Sequence, residues 1–191
     1  MAGARRRLFR RCRALAAAAA SFACALAAAQ PVPAPEALLL GKRLALPVQG
    51  VPRAALHDTF AEARSLGRKH DAIDIAAARG SKVYAVDDGT VVKLFRSIPG
   101  GITVYQFDPS GALSYYYAHL DHYAEGLREG ARVRRCDVIG YVGSTGNAAA
   151  DAPHLHFAVS ALGEPKRWWQ GRAINPYPAL RTEPPGDLPC P

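Results

Sequence analysis

A mainly β, antiparallel domain with little helix is the fold this sequence predicts. Short runs of β-branched and aromatic residues recur along the body of the chain, and the segments between them hold Gly, Pro and Asp in turn-forming order. Such punctuated runs read as a meander of neighbouring strands, not as strands alternating with long helices.

Leu46 to Val51 opens the folded part. A turn or two of helix is expected near Ala54 to Ser65, and another around Tyr123 to Leu127. The strand Lys82-Val83-Tyr84-Ala85-Val86 meets the turn Asp87-Asp88-Gly89 and continues as Thr90 to Phe95. Pro99-Gly100-Gly101 turns the chain into Ile102 to Phe107, and Asp108-Pro109-Ser110-Gly111 turns it again into Leu113 to His119. Val138 to Val142 and Leu155 to Val159 supply two more strands. Gly140-Tyr141-Val142-Gly143-Ser144-Thr145-Gly146 is glycine-rich but lacks the Gly-Lys-Ser/Thr ending of a phosphate loop, and no helix pattern follows it. It reads as a hinged loop leading into the last strand.

The ends have their own character. Six arginines crowd the first 13 residues and precede a run of Ala, Leu and Phe that closes on Ala27-Ala28-Ala29. That is a basic region, an apolar region and an A-x-A cleavage site, so residues 1–29 read as a signal peptide. The apolar run is short for a membrane span, which makes retention as an anchor the lesser alternative and leaves no stable insertion after cleavage. A periplasmic or secreted location follows. Arg6-Arg7-Leu8-Phe9 is a faint twin-arginine likeness, and Ser21-Phe22-Ala23-Cys24 is a poor lipobox. Residues 30–45 read as a linker, 46–180 as the domain, and 181–191, with four prolines in eleven residues, as an extended tail.

Cleavage also changes the charge argument. The formal net charge of +8 invites a nucleic-acid partner, but removing the leader leaves 18 of the 24 basic residues against all 16 acidic ones. A net charge of +2 is no footprint for nucleic acid. Cys136 and Cys190 are the cysteines that remain, and in an oxidising compartment they form one disulfide or stay as two thiols; the sequence leaves both open.

The histidines carry the chemistry. His154 and His156 flank Leu155 in a strand, so both project from one face. His70 and Asp74 stand four residues apart, a span of about 13 Å in a straight strand, far beyond what two ligands of one ion allow. The chain must therefore bend between them, with His70 in a loop and Asp74 opening a strand. His119 ends the run Tyr115-Tyr116-Tyr117-Ala118. Two imidazoles and one carboxylate leave a fourth position of a zinc ion for water, the arrangement of a catalytic site, whereas a closed structural site commonly draws on thiolates. An isolated H-x-H also occurs in cupins, but those need a glutamate soon after the pair, and the first here is Glu164. His57 and His122 are assigned to the surface, as are Arg134-Arg135 and Lys166-Arg167.

From about Thr59 to Leu180 the chain resembles the lysostaphin/LytM-type zinc metallopeptidases, which act as peptidoglycan endopeptidases. The motifs are Gly67-Arg68-Lys69-His70-Asp71-Ala72-Ile73-Asp74, Val83 to Val91, Tyr117-Ala118-His119-Leu120, Ile139 to Asn147 and Pro153-His154-Leu155-His156-Phe157, closed by Asn175-Pro176-Tyr177. The resemblance implies that His70, Asp74 and His156 bind zinc and that His119 and His154 stay off the metal as catalytic groups. It also implies an antiparallel sheet whose groove, walled by loops, receives an extended peptide of the cell wall. Tyr115, Tyr117 and Trp168 are candidates for lining that groove, with core packing the alternative. Three departures stand out: Ala72 for Gly, Ala158 for Glu, and a somewhat long loop from Asn147 to Ala152. The competing class is a non-catalytic wall-binding module or amidase activator that keeps the metal for structure; such a module has no need of His119 and His154.

Overall fold

Nine strands form one antiparallel sheet in the computed structural model, which describes residues 33–64, 67–182 and 189–191. The leader read at 1–29 lies outside the described residues. In chain order the elements are α1 (Pro35–Leu40), a single 3-10 turn (Arg53–Ala55), β1 (Ile73–Ala76), β2 (Lys82–Tyr84), β3 (Gly89–Ser97), β4 (Gly101–Phe107) and β5 (Leu113–Tyr123). They continue with β6 (Arg132–Val133), β7 (Val138–Val142), β8 (His154–Ala161), β9 (Arg172–Ile174) and α2 (Tyr177–Arg181). The main path runs β1-β8-β5-β4-β3-β6; β9 extends β8, and β7 links β2 to β5. The expected β3-β4-β5 meander is present, with turns where the Gly, Pro and Asp residues stand. Two short strands, β6 and β9, have too few residues to show a period of two and were not predicted.

Alternation sets the two faces. Along β8, Leu155, Phe157 and Val159 are buried while His154, His156 and Ala158 are half-buried, so one face packs the core and the other carries the histidines. Tyr115, Tyr117, Leu113 and Leu120 join the core side from β5. Tyr115 and Tyr117 are therefore core residues and do not line a groove. Their hydroxyls are partnered within the core, Tyr117 with Gln106 and Tyr115 with Asp87.

Three readings need correction. The stretch 30–45 is not simply a linker: α1 lies in it, and Leu39 and Leu44 are fully buried in the core. A helix of one and a half turns shows no periodicity in sequence, yet each buried leucine contributes about 1.5–3 kcal/mol. Near Ala54 to Ser65 there is one 3-10 turn and no longer helix among the described residues. The backbone there bonds across a loop instead, His70 N to Glu62 O, Asp71 N to Phe60 O and Arg64 N to Arg68 O. The segment from Tyr123 to Leu127 ends β5 and turns, with Leu127 N bonded to Ala124 O. At the other end the tail is tied down: Cys190 is bonded to Cys136, with Cα atoms 5.2 Å apart, and the Tyr84 hydroxyl donates to the Pro191 carbonyl.

Candidate functional site

β5 pairs with β8 as far as Ala118, opposite His156, and beyond that point pairs with β7 from Leu120 onward. His119 sits at this fork. Its φ is 61°, a left-handed conformation rare outside glycine, and its N–H donates to the Gly100 carbonyl at 2.9 Å. The glycine-rich loop explains how the fork is held. Thr145 Oγ accepts from Ile102 N and donates to Leu120 O, while its carbonyl takes the His119 Nδ1 proton at 2.8 Å. Gly101 and Gly146 pass so closely that a side chain on either would strike the other's backbone, and both have positive φ. The loop is a clamp for a histidine, not an anion cradle.

The bend expected between His70 and Asp74 occurs at Asp71, whose φ is 55°. Ala72, by contrast, is fully buried and absent from the positive-φ positions, so it needs no glycine. Asp74 lies on β1 opposite His156 on β8. Folding thus brings His70 Nε2, Asp74 Oδ1 and His156 Nδ1 into a triangle with sides of 3.0, 3.0 and 3.1 Å. These three residues form a group able to hold a metal ion.

The residues around the triangle orient it. Thr59 does so twice: its carbonyl accepts the His70 Nδ1 proton at 2.9 Å, and its hydroxyl oxygen accepts the Asp74 N–H at 3.0 Å. Arg64 donates to Asp74 Oδ2 at 2.8 Å, leaving Oδ1 for the triangle. Neither residue was singled out from sequence; a threonine and an arginine before a histidine carry no signal until the loop closes.

The donor chemistry fits a divalent cation. With Nδ1–H of His70 committed to Thr59, neutral His70 presents a bare lone pair at Nε2, and the carboxylate oxygen 3.0 Å away presents another. Two acceptors at that distance need a positive centre beside them. Burial lowers the His70 pKa and so favours the neutral ring. Burial pushes the Asp74 carboxyl up, but the His156 hydrogen bond and the surrounding imidazoles outweigh it and hold it down to about 2. The ionised carboxylate is therefore the resident form at neutral pH.

His119 and His154 stand beside the triangle. Their rings are 5.0 Å apart, and His119 is 5.6 Å from His156. His154 bonds the Ala152 carbonyl through Nδ1, and its Nε2 is 3.8 Å from Asp74 Oδ1. Burial pushes the His119 pKa down to about 4, so this imidazole is neutral at pH 7 with Nδ1–H tied and Nε2 left as an acceptor. All five residues line one open groove of about 410 Å³, whose rim includes Arg64, Arg68 and Lys69 on one side and Asn147 to Ala149 on the other. The loop from Asn147 is thus a groove wall. His57 and His122 are exposed and outside it.

Several known proteins are similar to this chain. Residues 68–176 match the model of peptidase family M23. The chain is 32% identical over 131 residues to the L-Ala–D-Glu endopeptidase of Bacillus subtilis (strain 168), covering 65% of this chain and 39% of that protein. It is 36% identical over 99 residues to the DD-carboxypeptidase/endopeptidase Mpg of Neisseria meningitidis serogroup B, covering 51% of this chain and 21% of that protein. The chain therefore spans well under half the length of these curated relatives. Among solved structures it is similar to Helicobacter pylori Csd3, with a TM-score of 0.54 at 31% identity over 70% of this chain and 33% of that one. It is also similar to the catalytic domain of lysostaphin from Staphylococcus simulans, with a TM-score of 0.57 at 26% identity over 66% of this chain and 92% of that one.

Proposed function

The chain belongs to peptidase family M23, and from that premise we propose that it is an exported zinc-dependent endopeptidase that hydrolyses peptide bonds in peptidoglycan stem or cross-link peptides. The observation that carries this reading is the convergence of three lone-pair donors at 3.0–3.1 Å beside two further imidazoles in an open groove. The endopeptidase names of the curated relatives support the substrate class. The Cys136–Cys190 disulfide supports an oxidising compartment outside the cytoplasm. No helix among the described residues is long and apolar enough to cross a membrane.

In this reading His70, Asp74 and His156 hold the zinc. When bound there, zinc supplies a Lewis acid that polarises the scissile carbonyl and makes water acidic enough to attack at neutral pH. The protein's own groups do the rest. Thr59 and Arg64 fix His70 and Asp74 so that the donors need not reorganise. His119, neutral and with its Nε2 left as an acceptor, takes the proton of the attacking water as the new C–O bond forms. His154, its ring 5.0 Å from that of His119, stabilises the oxygen on which negative charge develops. As the C–N bond breaks, the proton on His119 passes to the leaving amine. A groove open along its length accepts an extended chain, and the cationic rim of Arg68 and Lys69 suits the carboxylates of stem peptides.

Chelation tests the reading. Release of soluble fragments from purified sacculi should stop on dialysis against EDTA and return with one equivalent of zinc. Hydrolysis indifferent to chelation would overturn the metal assignment. Sacculus binding by the zinc-loaded protein without fragment release would overturn the enzyme assignment in favour of a wall-binding module.

A further inference from the structure

A second cleft, of about 210 Å³, lies on the histidine face of the sheet, away from the metal donors. It follows from register. His156, Ala158 and Ser160 alternate along β8, and opposite them on β5 stand Ala118, Tyr116 and Ser114. Tyr116 borders both the catalytic groove and this cleft, so the two adjoin. Ala158, opposite Tyr116 on β8, lines the cleft with a methyl group.

Aromatic rings wall the cleft. Tyr105 packs on Tyr116 at 4.6 Å, Trp168 stands edge-on to Tyr105 at 4.9 Å, and Trp169 is perpendicular to Trp168 at 5.2 Å. The tight turn from Arg167 to Gln170, closed by Gln170 N to Arg167 O, displays the two tryptophans side by side. Trp168 is braced from behind by Phe95 at 5.3 Å. Trp169 is 59% exposed, a large apolar ring left in water with the Arg167 guanidinium 5.6 Å from its centre. A braced tryptophan beside an exposed one is more than cover for a sheet edge, because covering would bury both.

The lining separates this cleft from the groove by chemistry. Ser114, Ser160 and Gln170 are its polar groups beside the tyrosine hydroxyls and indole N–H groups, and none of its lining residues is charged, whereas the catalytic groove is rimmed by arginine and lysine. Aromatic faces with neutral hydrogen-bonding edges match a pyranose, which presents C–H faces and hydroxyl or acetamido edges. Reach agrees. Ser160 lies four residues from His156, about 13 Å along the strand, a distance that an extended peptide covers in about four residues. In peptidoglycan the stem peptide hangs from an amino sugar, so a sugar in the cleft lays its stem toward the histidines.

We propose that the Tyr105–Trp168–Trp169 cleft is a glycan subsite, taking an N-acetylated amino sugar of the wall strand while the attached stem peptide occupies the groove. This rests on the peptidoglycan reading for the identity of the sugar, but its test does not depend on hydrolysis. The chain has two tryptophans, both in the cleft, so tryptophan emission, excited to the red of tyrosine absorption, reports on this site. Titrating the zinc-loaded protein with a peptide-free N-acetylglucosamine oligomer should give a saturable change in emission. Ala158→Phe, which keeps both indoles and fills the cleft, should abolish it. No change in the wild-type protein, or the same change in Ala158→Phe, would overturn the subsite. A second measurement uses Trp169→Ala and compares a disaccharide-bearing muropeptide with the sugar-free peptide of the same sequence. The ratio of kcat/KM for the first over the second should fall about three- to tenfold, the loss expected for one aromatic stacking contact; equal losses on both substrates would overturn the proposal. Should the wild-type protein cleave neither substrate yet bind the oligomer, the peptidase reading fails and the subsite stands.

Discussion

Two clusters of buried polar groups sit on opposite sides of the sheet, and they differ in one respect that tells structure from function. Behind the sheet, Lys42 Nζ donates to Asp87 at 2.8 Å and to Asp108 at 3.0 Å. The Tyr115 hydroxyl adds a donor to Asp87, and Ser110 Oγ with the N–H groups of Ala112 and Leu113 completes Asp108. Every acceptor there meets a donor. In front, His70 Nε2, Asp74 Oδ1 and His156 Nδ1 converge within 3.0–3.1 Å of one another, more lone pairs than the protons between them can satisfy, with the second polar atoms of His70 and Asp74 already held by Thr59 and Arg64. A complementary cluster is complete as it stands, and a convergent one is built for something else.

Removing one member from each cluster gives the largest contrast. His156→Ala should take bound zinc from one per chain to near zero and reduce hydrolysis to background, with little change in melting temperature of the metal-free protein. Lys42→Met should keep zinc and activity per folded molecule while losing about 2 kcal/mol of stability, since it leaves two carboxylates short of a cation. Elemental analysis and denaturant titration on the same preparations separate the outcomes. A folded Lys42→Met protein without zinc would erase the distinction.

Within the front cluster, holding the metal and moving the proton should separate. His119→Ala is expected to bind zinc as the parent does and to lose about 10²- to 10⁴-fold in kcat, the range for a general base. Full turnover in that variant would remove His119 from the chemistry and leave its strained backbone unexplained. A smaller effect is expected one step further out. Arg64→Ala frees Asp74 Oδ2 and should weaken zinc about 10- to 100-fold in a chelator competition, with Arg64→Lys recovering part of it. Unchanged affinity would show that Thr59 and the strand pairing alone position the carboxylate.

The same contrast decides what was legible in the sequence. The five site residues are all chemically conspicuous, and strand parity placed His154 and His156 on one face. The required bend between His70 and Asp74 followed from distance alone and is found at Asp71. The supports were not legible: Thr59 acts through a carbonyl and a hydroxyl, and Thr145 through contacts with residues 25 and 43 positions away. Such contacts leave no local pattern. Nor did α1, whose leucines are read as helix only once the core they cover is known.

Acid titration of the metal-free protein gives the finest test, because the two clusters lose stability in different pH windows. Unfolded histidine takes up its proton near 6.5, whereas burial delays His119 until about 4 and lowers His70 as well. As pH falls from 6.5 toward 4 the unfolded chain binds more protons than the folded one, so stability is complete above 6.5 and declines across that interval. Asp108 behaves differently. Burial raises its pKa, but the Leu113 N–H, Ser110 and Lys42 outweigh burial and hold it below 3.8, so its contribution is intact above 3.8 and is lost only below it. Melting temperature against pH should therefore show an early decline, flattened by His119→Ala, and a later one, flattened by Lys42→Met. Each kcal/mol corresponds to roughly 2–4 °C for a chain of this size. A single decline below pH 4, unaltered by His119→Ala, would mean that the front histidines are solvated in the metal-free state and that the cluster closes only around its ion.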